Sequence, residues 1–222
     1  PQQALMEMFV AGITDRSAIY ESDGDPAELS EWQGVVLHCA ADVQYIIWQS
    51  HGLEGSIGLQ WVPETKEILN VERNKLSGSI YLQALPEGLK QAWLDENEFV
   101  GHIVLDKLPS TLKVLDVSHN QLNGSVDLTQ LPPTFLGLYL SSNFFSGGID
   151  LTKLPKTLGD LYLNNNDFEG FTDFRYLPDS LNYFSISVTK LSGDIVFPKD
   201  TSKKYFIEET DVVRVNAYET SS

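Results

Sequence analysis

LPSTLKVLDVSHNQLNGSVDLTQ, residues 108–130, runs directly into LPPTFLGLYLSSNFFSGGIDLTK, residues 131–153, and then into LPKTLGDLYLNNNDFEGFTDFRY, residues 154–176. The three stretches align without a gap, and the period of 23 extends both ways along the chain. Asn74, Asn97, Asn120, Asn143 and Asn166 keep it, as do Gly55, Gly78, Gly101, Gly124, Gly147, Gly170 and Gly193. A period held this strictly is the mark of a stack of identical structural units, each burying its apolar side against its neighbours. Seven units follow, over 39–61, 62–84, 85–107, 108–130, 131–153, 154–176 and from 177 onward, with the consensus LPxxLxxLxLxxNxLxGxIxLxx. The organisation read from this is one domain: an N-terminal cap over 1–38, seven repeats over 39–198, and a C-terminal cap and tail over 199–222.

Within a unit the LxL step, as in Leu115-Asp116-Val117 and Leu161-Tyr162-Leu163, alternates as a short strand does, with the leucines inward and the middle residue outward. Stacked turns then build a parallel sheet, and at about 4.8 Å per strand seven of them give a face roughly 30 Å long, a size suited to a protein or peptide. The asparagine follows the strand where the chain bends away and backbone groups lose their partners. A carboxamide both donates and accepts, so a ladder of buried asparagines at 74, 97, 120, 143 and 166 is expected to hold the turns together. The glycine suits a positive φ or a close backbone approach. Prolines at 63, 86, 109, 132, 155 and 178 place an extended segment or loop on the far side, with little helix. His51 and Thr189 replace the asparagine in the terminal units, and Lys66 stands where other units carry an apolar residue, so a local rearrangement is expected there.

The unit resembles a leucine-rich repeat, and its LxGxI ending resembles the subtype common in plant receptors and in many protist proteins. The resemblance implies an α/β repeat solenoid, a right-handed β-superhelix with a curved parallel sheet whose concave face binds partners. It extends to the N-terminal cap. Ala4, Leu5, Met8, Phe9 and Ile13 recur at helical spacing over about residues 3–13, and Trp32, Gly34 and Val35 follow in the order W-x-G-V of the plant-type cap. That cap usually carries a disulfide. Here Cys39 is the single cysteine, so none can form within the chain, and a reducing, cytoplasmic setting is favoured over secretion. At the other end Tyr205-Phe206-Ile207 and Val212-Val213-Arg214-Val215, separated by four residues, read as a β-hairpin cap, with the tail fraying beyond it.

Function is sought in what varies between units. The outward strand positions collect Trp93, Tyr139 and Tyr162 in one column and Glu72, Asp95, Asp116 and Asn164 beside them, with Arg73, Glu96 and His119 one step further along as a rim. Exposed aromatics anchor partners through rigid apolar area, and neighbouring acids complement lysine or arginine. The same residues on a sheet can also serve cross-strand packing and solvation. Fifteen basic against thirty-one acidic residues give a net charge of −16, which repels nucleic acid and suits a basic partner. No apolar run approaches the roughly 20 residues of a membrane helix. The chain starts at Pro1, which points to upstream sequence outside it.

Catalysis has no comparable signature. His38 and Cys39 are adjacent, so in a strand they face opposite ways, and Asp95 with Asp116 would lie on an open sheet without a cleft. Phosphate loops, HExxH and GxSxG are absent from the sequence, and neither a cofactor nor a metal is implied. The acidic loop Asp23-Gly24-Asp25-Pro26 lacks the spacing of an EF-hand. The sequon Asn123-Gly124-Ser125 falls within the repeat consensus itself. The expected role is a scaffold-like protein-binding module. Receptor-type recognition of a peptide or glycan, or service as a structural subunit of a larger assembly, are the alternatives.

Overall fold

The computed structural model describes residues 2–21, 27–38, 42–64 and 67–216; Asp23 to Pro26, Cys39 and Lys66 lie outside them. Each turn of the chain adds one strand to each of two sheets, one of nine strands and one of eight. In the nine-stranded sheet Val114–Asp116 pairs in parallel with Gln91–Trp93 on one side and Gly137–Tyr139 on the other, with Leu115 facing Ala92 and Leu138 across the register. The inward residue of each strand is fully buried, as at Leu69, Leu115, Leu138, Leu161 and Phe184. Each such side chain contributes about 1.5–3 kcal/mol by leaving water. The strands are only three residues long because the chain turns through a left-handed residue soon after, at Arg73, Glu96, His119, Ser142, Asn165 and Val188, all with φ between 49° and 57°.

The asparagines sit one position beyond that left-handed residue. Asn120 donates through Nδ2 to the carbonyls of Leu94, Val117 and Ser118, each at 3.1 Å, and accepts from the Phe99 amide at 3.0 Å. One side chain thus links its own turn to the turn before it. Asn97, Asn143 and Asn166 make the same set of bonds. In the last unit Thr189 reaches only the Ile186 carbonyl. After the asparagine the chain enters the eight-stranded sheet, whose repeat glycines all take positive φ. Opposite the strands the turns run through short 3-10 segments at Leu59–Trp61, Leu82–Ala84 and Phe174–Tyr176.

Both ends are covered. The N-terminal helix spans Gln2–Phe9, shorter than the expected 3–13, because Gly12 and Ile13 leave it to join the stack. Ile13 bridges Gly55, and a Cβ on Gly12 would lie 2.6 Å from the Ser56 carbonyl oxygen, so the two backbones meet too closely for a helix to continue. Phe9 stacks on Trp48 at 5.7 Å, and Trp32 and Trp48 satisfy their indole N–H groups on the carbonyls of Ala27 and Gln33. A strand absent from the sequence reading, Val35–His38, runs antiparallel to Asp42–Ile47 and covers the sheet edge.

The C-terminal cap is not a hairpin. Lys204–Phe206 pairs in parallel with Tyr183–Ser185 in one sheet, Asp211–Val215 pairs in parallel with Lys190–Val196 in the other, and Glu209 between them takes the left-handed turn. The two runs form a truncated eighth turn. Each of the two sheets ends in an edge of unpaired backbone groups, and one run on each edge covers both, whereas a hairpin would leave one open.

Candidate functional site

The outer face of the nine-stranded sheet carries two rows of side chains set by strand register. The first is Asn70, Trp93, Asp116, Tyr139, Tyr162 and Ser185. Asp116 therefore belongs among the aromatics and not beside them, because the outward position of its strand is the one Trp93 and Tyr139 hold in theirs. The second row, two residues further along each turn, holds Glu72, Asp95, Ser118, Ser141 and Asn164.

Trp93 and Tyr139 stand two strands apart, about 10 Å by sheet geometry. Their ring centroids are nevertheless 6.4 Å apart, and Tyr139 stacks on Tyr162 at 5.2 Å. The rings lean together across the strand of Asp116, which is left 9% exposed. Gly137 makes this possible: a Cβ there would meet the Tyr139 ring at 2.9 Å. The Tyr139 hydroxyl donates to Asp160 Oδ2 at 2.8 Å, and the Trp93 indole to Gln91 Oε1 at 3.2 Å. Burial, followed by that bond to Asp160, drives the Tyr139 phenol well above its ordinary range.

The acids beneath and beside the rings are poorly solvated. Burial raises the Asp116 carboxyl, opposed by hydrogen bonds from the Ser118 hydroxyl and amide to Oδ1. Asp95 is pushed from 3.8 to about 7, first by burial and then by the charges of Asp116 and Glu72. Its Oδ1 is buried without any hydrogen-bond partner, as is Oδ1 of Asn164 at the other end of the row. Among the described residues no cation forms an ion pair with Glu72, Asp95 or Asp116. Arg73, on the rim, is held by Glu96 at 3.0 Å. His119 is exposed on its turn.

Trp93, Asp116, Tyr139 and Tyr162 thus form one cluster with Glu72 and Asp95 against it and Arg73, Glu96 and His119 along its border, while Asn164 lies three strands from Asp95. A second polar group went unread in the sequence: Tyr45 donates to Glu67 at 3.0 Å and Lys90 pairs with Glu67 at 3.1 Å. Its signal in the sequence is spread over two columns before the LxL step, Tyr45 in the one Asp160 also holds and Glu67 and Lys90 in the one before that. Among the described residues no group of three or more His, Cys, Asp or Glu is placed to hold a metal ion, and no helix is long and apolar enough to cross a membrane.

No family model matches the sequence, and no curated protein matches it either. Solved structures do. A plant ice-binding protein superposes with a TM-score of 0.71 at 18% identity over 97% of this chain and 77% of its own. The Arabidopsis receptor kinase HAESA ectodomain, in complex with an extended IDA peptide hormone, gives 0.68 at 20% identity over 96% of this chain and 41% of its own. The GASSHO1/SCHENGEN3 ectodomain from Arabidopsis thaliana gives 0.59 at 17% identity, over 96% of this chain and 30% of its own. At these identities the likeness is one of fold: the chain is a leucine-rich-repeat solenoid, and it spans less than half the length of the receptor ectodomains.

Proposed function

We propose that this solenoid binds a protein or peptide, and that a basic segment of the partner lies along the outer face of the nine-stranded sheet. The observation that carries the reading is the buried, unpartnered Oδ1 of Asp95 beside Asp116, in a strip walled by Trp93, Tyr139 and Tyr162. A desolvated carboxylate without a donor costs free energy in the free protein, and a lysine or arginine side chain supplies both charge and hydrogen bonds. The rings add cation–π attraction and rigid apolar area. A peptide complex of the HAESA ectodomain offers a precedent for the fold in such a role. Ice, a repeating lattice, asks for one side chain repeated along a flat face. The eight-stranded sheet carries Ser77, Val100, Asn123, Ser146 and Glu169 at equivalent positions, not one residue kept along the face.

The test is affinity capture from an extract of the source cells, with mass spectrometry, using the wild type, Trp93→Ala with Tyr139→Ala, and Asp95→Asn. The wild type retains a defined protein that the double aromatic variant loses and Asp95→Asn holds more weakly. A double aromatic variant that captures the same partner as the wild type refutes the reading. Because only the ionised acid attracts a cation, affinity rises with pH through about 7 in the wild type and is flat there in Asp95→Asn. Glu72, Asp116 and Glu96 face the same site and Arg73 borders it; their charges are common to both proteins.

A further inference from the structure

Away from this strip, a cavity of about 610 Å³ opens between residues 171–179 and residues 194–199, closed at one side by Lys203, Tyr205 and Val215 of the eighth turn. It arises where two successive turns take different paths. The sixth bends into the 3-10 segment Phe174–Tyr176, whereas the seventh runs straight in a seven-residue strand, Lys190–Val196, tied over five residues to Asp211–Val215. Its volume lies in the range that holds small ligands, about 300–1,000 Å³.

Two departures from the repeat fall in its wall. The inward position after the glycine is aliphatic at Ile57, Ile80, Ile103, Val126, Ile149 and Ile195, but threonine at 172. Thr172 is 1% exposed and its hydroxyl has no hydrogen-bond partner, a cost the aliphatic residue of every other turn avoids. Phe171 is 77% exposed where other turns have Ser79, His102, Ser125 and Gly148. Aromatic surface continues across the cavity in Phe197 and Tyr205, whose rings meet at 5.9 Å. The charges are uneven in their commitments. Three acids and three cations line it: Arg175 is bound by Asp173 at 2.6 Å, Lys203 donates to the Asp179 carbonyl, and Lys199 on one wall and Asp194 on the other make no side-chain hydrogen bond or ion pair among the described residues. Local rule-breaking of this kind, concentrated at one place in an otherwise regular stack, is expected at a binding site.

We propose that this cavity binds a small molecule with a flat apolar body and one anionic group, the body against Phe171, Phe197 and Tyr205 and the anion at Lys199 and Lys203, with the Thr172 hydroxyl answering a polar atom of the body. The site is independent of the outer face of the nine-stranded sheet. Two dyes with the same aromatic frame, anilinonaphthalene sulfonate and the uncharged phenylnaphthylamine, test it by fluorescence titration of the full chain. The sulfonate is expected to saturate at one molecule per chain and to bind more tightly than the neutral dye. Lys199→Glu with Lys203→Glu should weaken the sulfonate by about tenfold and leave the neutral dye nearly unchanged. Thr172→Ile, which restores the consensus of the column, should weaken both while circular dichroism shows the fold intact. Absence of saturation, an unaltered sulfonate affinity in the lysine variant, or loss of the signal in Trp93→Ala would overturn the proposal.

Discussion

Asn120 and Asp116 are buried to nearly the same degree, 7% and 9% exposed, yet the asparagine row and the outer face of the nine-stranded sheet are bonded differently. Along the asparagine row each side chain from 97 to 166 has both its donor and its acceptor occupied, and every bond joins one turn to the next or closes a turn. Along the outer face Asp116 is served by one serine, its neighbour Asp95 keeps a buried oxygen with no partner, and both carboxyls are pushed upward by burial. Burial alone therefore does not separate the asparagine row from the proposed binding face. Satisfaction does: a fully bonded polar row costs little and specifies the stack, while a buried oxygen without a partner, as on Asp95, persists at a cost.

Substitutions that exchange these conditions probe the contrast. The largest effect is expected in the asparagine row, where Asn120→Ala strips four bonds from buried backbone and should lower stability by about 1–3 kcal/mol. A melting temperature unchanged from the wild type would show the ladder to be dispensable. Asp95→Asn should do the reverse. A native state whose carboxyl titrates near 7 holds a proton that the unfolded chain, titrating near 3.8, releases, so stability falls as pH rises between these values. The amide removes that loss. Urea melts should therefore place the variant level with the wild type near pH 4 and ahead of it by about 1–2 kcal/mol at pH 8. The smallest change in stability is expected for Trp93→Ala with Tyr139→Ala, since these rings are only partly buried, on the outer face of the sheet, and their loss lets water reach Asp116. A loss as large as that of Asn120→Ala would make the aromatics part of the scaffold.

Which of these features could be read in advance follows from their physical range. The leucine, asparagine and glycine columns were legible because in a solenoid each structural turn uses the same spacing in sequence, so the contact of one turn with the next is written as a period. The eighth turn was not: Glu209 follows Val188 by 21 positions instead of 23, Thr210 replaces the asparagine, and no glycine marks the second strand. Two β-prone runs with a short acidic link look like a hairpin until the open edges of two sheets are known. On the outer face the identities of Trp93, Asp95, Tyr139 and Tyr162 were legible because they fill positions that vary between units. The lean of two rings across an intervening strand was not, since it depends on rotamers and on the space left at Gly137. Thr172 did carry a readable signal, a single hydroxyl in an aliphatic column, but the cavity beside it forms only where two unlike turns meet.

The contrast between the two rows rests most directly on the ionisation of Asp95, which carbon-detected NMR of its side-chain carboxyl can follow across a pH titration of the free chain. A midpoint near 7 is expected, with Asn120→Ala leaving it in place if that variant stays folded. A midpoint near 3.8, the value of an ordinary solvated aspartate, would mean that the outer face holds no desolvated acid waiting for a cation, and would contradict the account at its centre.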